Sequence, residues 1–224
     1  RTVLTGAVEG GLRTPPVRWL MIAGAFTAGT GIYVFYALQP FLLQLYGRPD
    51  AYSVAGLAAA LVAAAQITGG LLARWTPRLF HRRTSVLIVA FAVGALVLLG
   101  LGLVDSLAAA LILVAVWSLV SAIATPVRQA FLNGLIPSAQ RATVLSFDSL
   151  MGSAGGVVTQ PALGRVADLS GYPASYVVSA AIQAVAVPFA DLGLAMQRAI
   201  RVPGRIRQGY APSRMVPPLG IWLL

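Results

Sequence analysis

Apolar residues run in six blocks along the chain, over about 18–46, 52–73, 85–104, 107–125, 142–163 and 174–196. Each block comes close to the ~20 residues a helix needs to cross hydrocarbon. Charged residues fall mainly between the blocks. None of the blocks alternates with a period of two over about ten residues, as barrel strands do. Backbone groups in lipid must pair internally, so the pattern predicts helices and an all-α fold. Several residues shape these helices. Gly24, Gly29 and Gly31 soften the first, and Pro40 is expected to kink its far end. Asp105-Ser106 makes a tight turn that caps the fourth. The fourth continues past Pro126 as a more polar stretch to Leu135, and Pro137 breaks it. A polar turn, 165–173, separates the last two.

Composition supports a membrane solvent. The apolar fraction is 58% and the charged fraction only 10%, and the mean hydropathy is +0.82. Soluble domains are roughly half apolar and carry about 25% charge. The net charge of +10 is entirely arginine, since lysine is absent. No basic stripe lies on a soluble fold, so nucleic acid is not the expected partner, and membrane lipid is. With residue 1 on the cytoplasmic side, six crossings put fourteen arginines inside and only Arg48 and Arg165 outside. The positive-inside rule then predicts cytoplasmic ends on both sides of the spans. The organisation expected is a linker over 1–17, a six-helix membrane domain over 18–196 and a basic, poorly ordered tail over 197–224. The chain opens on Arg1 in a polar linker and reads as part of something longer.

Several chemistries are excluded. There is no cysteine for a disulfide or thiolate site. The one histidine, His81, sits in an arginine-rich loop. Intramembrane proteolysis needs Ser–His, paired Asp or metal-binding His at membrane depth, and Asp148 and Asp191, on the fifth and sixth blocks, have no accompanying motif. A phosphate-cradling glycine loop with its lysine cannot occur. The expectation is no enzyme, no cofactor and no metal.

The second block closes on Gly70-Leu71-Leu72-Ala73-Arg74 and the fifth on Gly164-Arg165-Val166-Ala167-Asp168. Both follow a glutamine, Gln66 or Gln160, and a run of small residues. They fall on opposite sides of the membrane, as a three-plus-three inverted repeat predicts. Gly70, Leu72, Ala73 and Arg78 resemble a degraded loop signature of the major facilitator superfamily, with Arg74 and Pro77 where Asp and Gly are expected. Ile136-Pro137 through Arg141-Ala142-Thr143-Val144-Leu145-Ser146 resembles the approach to that family's eleventh helix. Gly155-Gly156, Gln160-Pro161, Gly164 and Ala167-Asp168 resemble the rest of that helix and its turn. The resemblance covers roughly 15–200 and points to the carboxy-terminal six-helix half. It implies a missing amino-terminal half as partner and a secondary transporter working by alternating access.

In that family the first and fourth helices of each half line the central cavity. The resemblance therefore makes Tyr33, Tyr36 and Gln39 on the first span, and Trp117 and Ser121 on the fourth, candidate cavity residues. Arg128 and Asp148 are candidates for gating or proton coupling, at the cytoplasmic ends of the fourth and fifth spans. Tyr33 and Tyr36 also fit an aromatic packing stripe, and Arg128 also fits snorkelling to headgroups. Aromatic and amide groups with few fixed charges favour proton-coupled export of a small hydrophobic or drug-like compound. The expected location is a bacterial inner membrane. The alternative is a non-transporting scaffold, or a truncated half that acts only by pairing with a partner.

Overall fold

The computed structural model describes residues 13–76 and 83–200. Their regular structure is all helical: α1 (Pro15–Tyr46), α2 (Tyr52–Ala73), α3 (Arg83–Leu103), α4 (Leu107–Leu135), a 3-10 turn (Ser138–Gln140) and α5 (Arg141–Ile200). The predicted linker up to residue 12, the loop 77–82 with Arg78 and His81, and the tail from residue 201 lie outside the described residues. Among the described residues, five helices are long and apolar enough to cross a membrane. Pro15 and Pro16 open α1, where a missing N–H costs nothing. Gly47 closes it in the left-handed conformation, with its N–H bonded to the Leu43 and Gln44 carbonyls. Pro126 sits within α4, which runs on to Leu135, and the chain leaves the helix at Ile136 ahead of Pro137.

The predicted nine-residue turn at 165–173 is reduced to a single break. Helix persists on both sides, and only Gly171 is non-helical, at φ 82° and ψ 167°. That combination is open essentially to glycine alone. Pro173 follows in the first turn of the next helical arm, where it is tolerated.

Packing shows that the chain reverses at Gly171. In the first arm, 141–170, Asp148 lies beside the Leu20 level of α1 through Arg128, and Gly155 lies against Ala25 and Gly29. In the second arm, 172–200, Ser175 meets Tyr33, Phe189 stacks on Trp19 and Phe26, and Gly193 lies against Pro16. The first arm therefore runs parallel to α1 and the second antiparallel to it. A continuous 60-residue helix would be about 90 Å long and could not bring both of its ends to one end of α1.

Small residues set the close approaches. A Cβ on Gly155 would strike the Ala25 carbonyl, and one on Gly69 would meet the Leu119 carbonyl at 2.6 Å. In lipid the drive for helix association is such packing rather than escape from water. The buried core forms one cluster around Phe41, Leu98, Leu101 and Tyr176, and a second around Leu20, Leu87, Phe131 and Leu132. α2 packs chiefly against α4, with only Ala58 and Gly69 buried.

Candidate functional site: a cavity between four helical segments

A cavity of about 790 Å³ opens mainly between α1, α2, α4 and the first arm of α5, with Ala90 and Phe91 of α3 and Gln183 of the second arm also on its lining. Its α1 wall is the stripe Gly24, Thr27, Ala28, Gly31, Phe35 and Leu38. These residues repeat at three and four, which at about 100° per residue keeps them on one helix face. Gly31 lies opposite Trp117 and Gly24 opposite Arg128, so α1 and α4 are antiparallel across the cavity.

The two ends of the cavity differ. At the Gly24 end stand Arg128, Gln129, Asn133, Asp148 and Ser149. At the other end stand Ile32, Val34, Phe35, Leu38 and Val62, with Trp117 above the polar floor. The floor is held by one ion pair. Arg128 donates from both terminal nitrogens to both Asp148 oxygens, at 2.7 and 2.6 Å, and also to the Leu20 carbonyl at 3.3 Å. The side chains are 19% and 12% exposed, so water screens this pair far less than a surface pair. Gly24 leaves the room: any Cβ there would collide with the guanidinium. Arg128 thus joins α1, α4 and α5. Its Nε, the Trp117 Nε1 and the Asn133 Oδ1 are buried with no hydrogen-bond partner among the described residues.

A family model described as Major Facilitator Superfamily matches residues 4–157. The chain belongs to the major facilitator superfamily. Its members are transporters, which fits a protein that is not an enzyme and does not favour the scaffold reading. Five apolar helices and this membership mark an integral membrane protein. No curated protein and no solved structure matches the chain.

Within this superfamily member, the residues singled out in the sequence fall in several places. Trp117, Ser121, Arg128 and Asp148 line the cavity together. Tyr33 turns away from it, is buried, and donates a 2.6 Å hydrogen bond to Ser175 in the second arm of α5. Ser175 in turn donates to the Tyr172 carbonyl at 2.7 Å. Tyr36 is 69% exposed and packs edge-on against Phe35. Gln39 is exposed one turn further on.

The signature residues sit at helix ends, away from the cavity. Gly70 has open space around it, and the Ala73 carbonyl accepts from Thr76 Oγ1. The Arg74 guanidinium lies over the Trp75 ring. Gly164 also faces open space, and Asp168 is exposed three residues before the Gly171 break. Arg78 lies outside the described residues. Among the described residues no group of three or more His, Cys, Asp or Glu could hold a metal.

Gln66, Gln129, Asn133 and Ser149 are cavity residues that sequence reasoning did not assign to the cavity. Their signal was present for two of them. Gln129 and Asn133 stand four apart in the polar extension of α4, directly after Arg128.

Proposed function

We propose that the chain is the carboxy-terminal six-helix half of a secondary active transporter that works by alternating access. The observation that carries this reading is the cavity itself. It is walled mainly by α1, α2, α4 and the first arm of α5, and an ion pair joins three of these segments at its floor. Two close contacts support an inverted-repeat reading. α1 packs on the first arm of α5 through Gly155, and α4 packs on α2 through Gly69. The reversal at Gly171 supports reading the two arms as separate crossings, and with them a six-span, three-plus-three arrangement. The amino-terminal half is the partner that closes the cavity.

The transported species is a small hydrophobic or drug-like compound, exported in exchange for protons across a bacterial inner membrane with both ends of the domain cytoplasmic. Arg128 and Asp148 are the gating or proton-coupling pair of this reading. Among the described residues Asp148 is the carboxylate on the cavity wall, and parting the pair would release the clamp by which Arg128 holds three segments together. The test uses inverted membrane vesicles that contain the complete protein and the uncharged dye N-phenyl-1-naphthylamine. An acid vesicle interior should drive dye accumulation, and a protonophore should abolish it. A dye distribution identical to that of vesicles lacking the protein would defeat the reading.

A further inference from the structure

Resting on the transporter reading, we infer that this half of the cavity selects an uncharged amphiphile, one with a hydrogen-bonding amide or hydroxyl head and an apolar body, over organic cations and anions. The cavity is polarised along its length. From Gly24 to Leu38 the α1 wall spans about 21 Å at the ordinary helical rise. One end presents amides and hydroxyls, and the other presents Phe35, Leu38 and Val62.

Charge decides the head group. The charged groups on the wall, among the described residues, are Arg128 and Asp148, and each already holds the other through two short bonds. An ion that enters finds no free countercharge. To obtain one, an anion would have to displace Asp148 from Arg128, or a cation displace Arg128 from Asp148. Either exchange leaves the other member of the pair unpaired in a partly desolvated site, which is strongly unfavourable.

A neutral head meets no such obstacle. Gln129, Asn133 and Ser149 line this end of the cavity and offer amide and hydroxyl donors and acceptors without charge. A buried polar group left unpaired is costly, so a ligand that pairs these groups gains what a purely apolar ligand forgoes. The ligand that fits needs one donor and one acceptor at the Arg128–Asn133 end and an aromatic or aliphatic body toward Phe35. A carboxamide supplies both functions without charge.

The test is a matched set of three ligands with one apolar body: 1-naphthylacetamide, 1-naphthylacetate and 1-naphthylmethylammonium. Each is titrated into the complete protein in nanodiscs, with binding followed calorimetrically and by melting midpoint. The amide should bind at least tenfold more tightly than either ion. Gln129→Leu and Asn133→Leu, which leave the ion pair in place, should each weaken amide binding while the unliganded protein keeps its midpoint. A variant whose unliganded midpoint falls is replaced by the shape-conserving Asn133→Asp or Gln129→Glu, which should shift preference toward the ammonium ligand.

Equal or tighter binding of either ion overturns the inference, as does no binding of the amide. So does amide affinity unchanged in both leucine variants. The vesicle dye assay reports transport independently, so a cavity without charge discrimination and a protein that does not transport give different results.

Discussion

Arg128 and Asp148, twenty residues apart in sequence, meet in a two-pronged ion pair that bridges α4 and α5 at the cavity floor. The same guanidinium reaches the Leu20 carbonyl on α1. One side chain thereby ties α4 to both α1 and α5, so sliding α1 against α4 must change this contact.

Removing one member of the pair should cost more than removing both. Asp148→Asn leaves a guanidinium largely shielded from water without its countercharge, and losses of about 3–5 kcal/mol are typical of that situation. The double variant Arg128→Gln with Asp148→Asn removes both charges and should recover part of the loss. Melting midpoints of the two single variants and the double variant form the cycle. Additive losses across the cycle would mean the two residues do not interact.

Gly155 and Gly56 should respond oppositely to alanine. A Cβ on Gly155 runs into the Ala25 carbonyl, a backbone atom that cannot swing aside. Gly155→Ala should therefore push α1 and α5 apart and destabilise by about 1–3 kcal/mol, as overpacking does. Gly56 lies in α2 with open space around it, so Gly56→Ala should be neutral or stabilising by up to about 1 kcal/mol. Thermal unfolding in detergent micelles separates the two, and equal midpoints for the pair would contradict this packing.

Tyr33 and Tyr36 should also separate. Tyr33→Phe removes the donor to Ser175 in a buried setting, a net loss of about 0.5–1.5 kcal/mol. Tyr36→Phe removes an exposed hydroxyl and should leave the midpoint unchanged. If Tyr33→Phe were silent in stability but impaired substrate binding, the tyrosine would belong to the cavity wall and not to the contact with the second arm.

Much of the fold was legible because block length and charge placement are chemical facts about crossing hydrocarbon. The polar stretch 165–173 read as a long turn because its composition is that of a turn, yet Gly171 alone makes the reversal and the flanking residues stay helical. Composition reports which residues tolerate a turn, whereas φ and ψ report which residue makes it. The cavity was legible on α4, where Trp117, Ser121 and Arg128 contrast with an apolar background. It was not legible on α1, which is apolar around most of its circumference, so periodicity cannot say which face is lined. Polar aromatic residues drew attention to Tyr33, while the wall itself is built of Gly24, Ala28 and Gly31, whose small size makes the space. Gln66 was read as part of a repeat, and its place on the wall depends on how α2 leans against α4, which no local pattern encodes.

The number of crossings can be settled chemically because the chain has no cysteine. Single cysteines at exposed positions then report sidedness without a background. Arg48→Cys, in the turn after α1, and Asp168→Cys, beside Gly171, should react with a membrane-impermeant maleimide from the same face of intact cells. Ser138→Cys and Ala195→Cys should react only after the membrane is opened. The logic rests on α1 and the first arm of α5 running parallel, so that residues near their ends emerge together. If α5 crossed only once, Ala195→Cys would label from the Asp168 face. If α1 and the first arm were antiparallel, Arg48→Cys and Asp168→Cys would label from opposite faces. Either pattern would undo the six-crossing reading and, with it, the proposal that the cavity serves transport.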